Sequence, residues 1–196
     1  MDMKKICVCA FALFLCCFSG HSQIINRYDY KMMGDTLDIK ETADKVYFRI
    51  GSEVSTDKID LVLDKSKLQD FRKAFRQANL KYKEWKKVAT ANNVRFLNKE
   101  MDGITFPRVA ITWTGKADVG LLKDYELPTP YMFIDGDKYN LCIMCEIELR
   151  DKMSERMKEL KGIQEPTIAV LRFVSEKETN AFENILTNKI TESLFK

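Results

Sequence analysis

Residues 66–93, which read SKLQDFRKAFRQANLKYKEWKKVATANN, contain the pattern that decides the fold. Apolar and aromatic side chains recur there in alternating steps of three and four residues, which places them on one stripe of an α-helix. Ser66 and Gln69 have the spacing of a capping box, and Asn92 with Asn93 is a stop signal. We expect this helix to pack on a sheet of its own domain through a stripe formed by Leu68, Phe71, Phe75, Ala78, Tyr82, Trp85 and Ala89.

Segments rich in β-branched and aromatic residues lie on both sides of this helix, which is typical of strands. A second amphipathic helix is predicted over residues 175–195, because Ser175 and Glu178 form another capping box ahead of a periodic apolar face. Residues 150–162 fit either a short helix or a surface loop. Strands are predicted at residues 37–39, 45–50, 59–63, 108–114, 117–122, 131–134, 138–149 and 167–174, with Asp135-Gly136-Asp137 as a hairpin turn.

This order of elements predicts an α+β domain. Short connections and hairpin signals favour one mostly antiparallel, twisted β-sheet with the two amphipathic helices packed against it. No internal repeat or linker interrupts the pattern, so we expect residues 23–196 to form a single domain.

Residues 1–22 have the pattern of a secretory signal peptide. Two lysines precede a thirteen-residue apolar run, and Gly20 and Ser22 are small residues placed for cleavage after Ser22. The run is shorter than the roughly 20 residues that span a bilayer. We therefore expect a protein exported to the periplasm, the cell envelope or the medium, with no membrane-spanning segment in the mature chain.

Loss of the leader would remove most residues with distinctive chemistry. His21 is the only histidine, so the mature chain would have no histidine-dependent nucleophile and no histidine-ligated zinc. The net charge would fall from +3 to +2 with Lys4, Lys5 and Asp2, which is too near neutral to predict a nucleic-acid partner. The glycines form no phosphate-binding loop. We predict no catalytic residue set, no metal site and no cofactor.

Two of the six cysteines, Cys142 and Cys145, would remain in the mature chain. Redox pairs with this spacing lie at a helix N-terminus, whereas this pair lies in a segment that alternates like a strand. Three steps along a strand separate Cα atoms by about 10 Å and end on the opposite face, which is too far for a disulfide. The sequence predicts two unpaired thiols and no intrachain disulfide, with an intermolecular bridge through Cys142 as the alternative.

Two patterns point to glycans, each with a simpler explanation. Glu146 and Glu148 share one face of a predicted strand, at a separation close to the roughly 5 Å between the carboxyls of retaining glycosidases. A solvated sheet face explains the same alternation. Trp113 is suited to stacking on a sugar, although its neighbours favour core packing.

The face of the long helix opposite its apolar stripe is basic, and its candidate binding residues are Lys81, Lys83, Lys86 and Lys87. This face fits either an anion-binding surface or an ordinary solvated surface. The nearly neutral charge of the whole chain favours the second interpretation.

Several core and cap positions between residues 64 and 186 resemble those of a group of small secreted bacterial proteins of unknown function. The resemblance implies a shared fold and brings no activity, ligand or catalytic residue. It is carried by Phe71, Tyr82, Glu84-Trp85, Ala89, Asn92-Asn93-Val94, Lys99-Glu100-Met101, Phe106-Pro107 and Phe173-Val174-Ser175-Glu176.

We expect an exported, non-catalytic binding or accessory protein. One alternative is a carboxylate-dependent, glycan-active enzyme, which requires an acid-lined cleft and an exposed aromatic platform. Another is an envelope-surface protein that binds anionic lipid or polysaccharide through the four lysines, with an affinity that falls as salt rises.

Overall fold

The computed structural model describes residues 26–32, 35–52, 58–114, 120–146 and 168–190. Helix α1 covers Leu68–Ala91 and helix α2 covers Glu176–Asn184. A 3₁₀ turn, Lys65–Lys67, leads into α1, and a π-helical turn, Ile185–Lys189, follows α2. The strands are β1 (Asn26–Met32), β2 (Asp35–Glu41), β3 (Lys45–Ser52), β4 (Lys58–Asp64), β5 (Phe96–Glu100), β6 (Val109–Thr114), β7 (Gly120–Glu126), β8 (Thr129–Asp135), β9 (Lys138–Glu146) and β10 (Ile168–Phe173).

These strands form two antiparallel sheets. The first sheet has the order β1-β2-β3-β4-β6-β7, and the second has the order β10-β9-β8-β5. The predicted α+β class is therefore confirmed, whereas the predicted single sheet is wrong. Alternation in the sequence identifies a strand but not its partner. The chain changes sheet three times, between β4 and β5 through α1, between β5 and β6, and between β7 and β8.

Two of the strands, β1 and β5, were not predicted from the sequence. β1 pairs with β2 along its whole length, and Tyr28, Tyr30 and Met32 alternate there with charged residues, a period-two pattern that was overlooked. β5 is an edge strand of the second sheet and is largely exposed, so its sequence lacks the apolar alternation of a half-buried strand. The predicted leader and the ambiguous segment 150–162 lie outside the described residues.

Helix α1 is confirmed, and its apolar stripe faces the core. Its predicted cap is wrong, because Ser66 lies inside the 3₁₀ turn and no side chain caps the first turn of the helix. The predicted cap at Ser175 is confirmed, although the reciprocal bond of a capping box is shifted by one residue, from the Ser175 N–H to the Val174 N–H. The Glu178 backbone N–H donates to Ser175 Oγ at 3.3 Å, and Glu178 Oε2 accepts from the Val174 N–H at 2.8 Å.

A cluster of six phenylalanines joins both sheets and both helices. Phe75 of α1 makes edge contacts with rings of β10 and α2, at centroid distances of 5.3 and 4.8 Å. Such pairs stabilise a fold by about 0.5–1.5 kcal/mol each beyond the burial of their area. We call this group the inner phenylalanine cluster, and its members are Phe48, Phe71, Phe75, Phe106, Phe173 and Phe182.

A buried ion pair ties the first sheet to the start of α1. Glu41, at the end of β2, is fully buried and pairs with Lys65, whose side chain is 9% exposed. Lys65 Nζ also donates to the Thr42 carbonyl at 3.3 Å. A buried carboxylate needs such a partner, so this contact fixes the 3₁₀ turn against the β2–β3 hairpin.

Among the described residues, no helix combines the length and the apolar character needed to cross a bilayer.

Candidate functional site

The second sheet has one buried face, and its other face is exposed along β5 and at the end of β8, whereas Asn140 and Cys142 on that same side are buried. Along β8, Pro130, Met132 and Ile134 are buried against the helices, whereas Tyr131 and Phe133 point the other way. We call the side away from the helices the outer face of the second sheet.

Three aromatic side chains gather on this outer face. Phe96 of β5 is 77% exposed, Phe133 is 40% exposed, and Tyr131 is partly exposed. Phe133 lies opposite Asn98, and Phe96 lies opposite Asp135, so the two phenylalanines are diagonal neighbours on paired strands. Diagonal positions are about 7–8 Å apart, within reach of aromatic rings. We call Phe96, Tyr131 and Phe133 the aromatic face.

Residues of the two neighbouring strands flank two of these rings. Phe133 lies between Asn98 on β5 and Asn140 on β9, while Tyr131 lies between Glu100 and Cys142. The Tyr131 hydroxyl donates to Glu100 Oε2 at 3.3 Å, which orients that ring.

The hairpin that carries Phe133 is held in place by its own polar groups. Asn140 Nδ2 donates to the Phe133 carbonyl at 3.1 Å and to the Lys138 carbonyl at 3.3 Å. At the turn, Gly136 has a φ of +64°, which favours glycine, and its N–H donates to the Arg95 carbonyl at 2.9 Å. The bond from Gly136 to Arg95 links the β8–β9 turn to the residue before β5. Phe96 and Phe133 therefore lie on strands whose backbones are hydrogen-bonded to each other.

This arrangement is suited to binding a flat ligand that has both apolar and polar edges. The C–H faces of a sugar ring stack on aromatic rings, while its hydroxyls need donors and acceptors at the border. Asn98, Asp135 and Glu100 are exposed and offer both kinds of group. This site was not predicted from the sequence, because β5 was not recognised as a strand.

Two of the four candidate lysines connect the helices. Lys83 Nζ donates to Asn180 Oδ1 at 2.8 Å, and Lys86 Nζ pairs with Glu176 Oε1 at 3.0 Å. Next to them, Asn79 Nδ2 donates to Glu183 Oε2 at 2.8 Å. These residues form a polar seam between α1 and α2, so Lys83 and Lys86 are engaged within the fold.

The other two candidate lysines point elsewhere. Lys81 Nζ donates to the Asp102 carbonyl at 2.7 Å and lies 5.2 Å from the Trp85 ring centroid. Lys99 Nζ lies 4.9 Å from the same ring. Lys87 is exposed and makes no hydrogen bond or ion pair with the described part of the chain. The structure therefore does not bring the four lysines together as one open basic surface.

The two cysteines lie on β9, as the strand prediction requires. Both thiols are unpaired and buried, with Cys142 toward the outer face, opposite Tyr131 and Arg172, and Cys145 toward the core. Burial raises the pKa of Cys142 to about 11, against a smaller opposing effect of Arg172. Burial also raises the pKa of Cys145 to about 12. Both groups are therefore thiols at neutral pH, the form that is a poor nucleophile and a poor metal ligand.

Most of the remaining predicted positions lie outside the described residues. Glu146 ends β9, but its side chain lies outside the described residues, as do Glu148 and the Trp113 side chain. Asp135 and Asp137 flank the β8–β9 turn. Within the described ranges, no group of three or more histidine, cysteine, aspartate or glutamate residues is arranged to hold a metal ion.

A groove of about 650 Å³ lies between the first half of α1 and the segment that leads into β6. Its charged lining consists of Lys67, Lys73 and Arg108 with Asp64 and Asp70. None of its lining residues belongs to the second sheet, so it is separate from the aromatic face.

Comparison with known protein families, curated proteins and solved structures gives no match for this chain. The resemblance to small secreted bacterial proteins stays a prediction.

Proposed function

We propose that the protein is an exported, non-catalytic protein that binds glycans through the aromatic face. One observation carries this proposal. Phe96 and Phe133, exposed by 77% and 40%, are diagonal neighbours on one side of a sheet, with Asn98 and Asp135 beside them. The leader pattern in residues 1–22 supports export.

The chemistry of the border favours a glycan over a membrane or a protein partner. Asp135 and Glu100 are exposed beside the rings, and an anionic bilayer would repel both carboxylates. The centres of protein interfaces are depleted in aspartate and glutamate. Sugar hydroxyls, in contrast, both donate and accept, so they suit a border of amides and carboxylates.

The same border supports binding without catalysis. A glycosidase needs one carboxylic acid held protonated, usually by burial in an apolar pocket. Asp135 and Glu100 are exposed, and Glu100 accepts a hydrogen bond from Tyr131. Both carboxylates are placed to accept hydrogen bonds from sugar hydroxyls.

Affinity electrophoresis through gels that contain neutral soluble polysaccharides, one per gel, tests the proposal. The expected result is that at least one polysaccharide retards the protein and that a variant with Phe96→Ala and Phe133→Ala loses the retardation. The matched control changes Leu80→Ala and Val88→Ala, which are 59% and 56% exposed on α1. The control should behave as the unmodified chain does.

Two results would contradict the binding site. One is that no polysaccharide in a panel of β-glucans, xylans, mannans and pectins retards the protein. The other is that the control variant loses as much retardation as the aromatic variant.

The enzyme alternative has its own test. Release of reducing ends from a polysaccharide that binds, abolished by Glu146→Gln or Glu148→Gln, would replace the non-catalytic proposal with a glycosidase.

A further inference from the structure

A carboxylate lies beside both exposed phenylalanines of the aromatic face. Asp135 is directly opposite Phe96 on the paired strand, and it follows Phe133 by two residues on the same face of β8. Directly opposite residues have Cβ atoms about 4.5–5.5 Å apart, and two steps along a strand cover about 7 Å. A ligand group that contacts either ring is therefore within reach of the Asp135 carboxylate.

The same combination of ring and carboxylate recurs at the other end of the face. Glu100 lies directly opposite Tyr131, whose hydroxyl donates to Glu100 Oε2 at 3.3 Å. Tyr131 and Asp135 are four residues apart on β8, so the two carboxylates are separated by about 13 Å along the strand direction. The aromatic face thus has an aromatic ring next to a carboxylate at each end.

Neither carboxylate forms an ion pair with the residues that the structure describes, and both side chains are exposed. Lys138 lies opposite Asp135 at the base of the β8–β9 turn, but its Nζ is not within ion-pair distance of that carboxylate. Arg172, also on this side, lies on β10, two strands and about 10 Å from Tyr131. Both carboxylates are therefore open to a cation from a ligand.

An ammonium group is the cation that suits a ring and a carboxylate together. The negative face of an aromatic ring attracts a cation that lies within about 6 Å of the ring centroid. The carboxylate accepts a charge-assisted hydrogen bond from the same group, which is stronger than one from a neutral hydroxyl or amide. A metal ion prefers several oxygen ligands at once, and no metal-binding group of three acidic, cysteine or histidine side chains exists within the described ranges.

We propose that the glycan bound by the aromatic face contains amino sugars with free, protonated amino groups. One amino group contacts Phe96 or Phe133 and donates to Asp135, and a second contacts Tyr131 and donates to Glu100. The separation of the two carboxylates, about 13 Å, requires an oligosaccharide rather than a single sugar. The proposal rests on the proposed glycan-binding function and names the ligand class of that site.

Isothermal titration with three oligosaccharides of equal length and the same linkage tests the proposal. They are oligomers of glucosamine, N-acetylglucosamine and glucose, which differ only in the substituent on the second carbon of each sugar. At about pH 6, below the usual pKa of amino groups, the glucosamine oligomer should bind about fivefold more tightly than the other two. Spermidine, a polyamine without a sugar ring, should bind more weakly than the glucosamine oligomer.

Point variants locate the amino groups. Asp135→Asn should weaken binding of the glucosamine oligomer about threefold and leave binding of the N-acetylglucosamine oligomer unchanged. Asp70→Asn is the matched control, because it makes the same charge change at an exposed position on α1. Lys138→Gln should strengthen binding of the glucosamine oligomer, because it removes a like charge opposite Asp135. The double variant with Phe96→Ala and Phe133→Ala should bind no member of the series.

Five results would overturn the proposal. They are no binding of the glucosamine oligomer, equal affinity for all three oligomers, spermidine binding as tightly as the glucosamine oligomer, equal losses in Asp70→Asn and Asp135→Asn, and a preference for the glucosamine oligomer that persists in the double phenylalanine variant. The proposed function is tested separately. It stands if the N-acetylglucosamine or glucose oligomer binds through the two phenylalanines, or if another polysaccharide retards the protein in the gels, whatever the amino group contributes.

Discussion

The inner phenylalanine cluster and the aromatic face use the same side chain for opposite purposes. Phe75 is fully buried and contacts two other rings of the cluster, whereas Phe96 is 77% exposed at the edge of the second sheet. Burying a phenylalanine contributes roughly 1.5–3 kcal/mol to stability, so the exposed rings forgo that gain. Exposure, and not residue type, therefore distinguishes the aromatic residues that stabilise this fold from those for which we propose ligand binding.

The largest effect is expected inside the cluster. Phe75→Ala should lower the free energy of unfolding by about 3–5 kcal/mol, because it removes ring contacts and leaves a cavity between the helices and the second sheet. Urea titration followed by far-ultraviolet circular dichroism measures the change. If Phe75→Ala does not fold, Phe75→Leu serves in its place. Its free energy of unfolding should fall by less than the value given for Phe75→Ala. Equal losses in Phe75→Leu and Phe133→Leu would remove the distinction between the two regions.

A second comparison sets a buried ion pair against an exposed one. Glu41→Gln should cost about 3–5 kcal/mol, because Lys65 would keep its charge in a buried place. Asp64→Asn breaks the Lys45–Asp64 pair, whose side chains are 33% and 42% exposed, and should cost less than about 1 kcal/mol. Thermal unfolding of both variants measures the difference. Similar midpoints would show that burial does not control the strength of these pairs.

The cysteines of β9 predict a loss of stability at alkaline pH. Burial raises the pKa of Cys142 and Cys145 from 9.0 to about 11 and about 12, so the folded state keeps protons that the unfolded state has released. The contribution of the two protonated thiols to stability is fully present below pH 9. It is lost as the pH rises toward their pKa values in the folded protein, by at most about 1.4 kcal/mol per pH unit for each thiol. Urea unfolding at pH 7.5, 9 and 10.5 measures this effect. With rising pH, the free energy of unfolding should decrease less in Cys145→Ala than in the unmodified protein. The same dependence of the free energy of unfolding on pH in both proteins would contradict a raised pKa for Cys145.

Two tyrosine hydroxyls differ in the same way as the phenylalanines. Tyr82 is fully buried, and its hydroxyl donates to the Tyr139 carbonyl at 2.9 Å, so Tyr82→Phe should cost about 1 kcal/mol. The Tyr131 hydroxyl bonds the exposed Glu100 on the outer face, so Tyr131→Phe should change stability by less than about 0.5 kcal/mol. Unfolding midpoints of the two variants at one pH provide the check. A greater loss for Tyr131→Phe would reverse the expected order.

The helices could be predicted because their local patterns are strong. The three-four spacing of residues 68–89 indicates a buried stripe, and Ser175 with Glu178 marks the start of α2. The β8–β9 hairpin was equally predictable, because Asp-Gly turns between alternating segments are local signals.

The division into two sheets and the aromatic face could not be predicted from local patterns. Strand pairing depends on contacts between distant segments, and an exposed edge strand such as β5 shows no apolar alternation. The partners of Lys83 and Lys86 belong to α2, about ninety residues later in the chain. Because each lysine and its partner are so far apart in the sequence, local spacing does not indicate the contacts that join these lysines to α2.

The proposed role of the aromatic face is to bind a ligand without stabilising the fold. The most direct test is a backbone amide NMR titration of the mature protein with an oligosaccharide of the polysaccharide that retards it. The account predicts that the largest shifts lie at Phe96, Asn98, Phe133 and Asp135, and that Phe96→Ala with Phe133→Ala abolishes them while changing the free energy of unfolding by less than about 1 kcal/mol. Shifts centred on Lys73 and Arg108, or unfolding of the double variant, would contradict it.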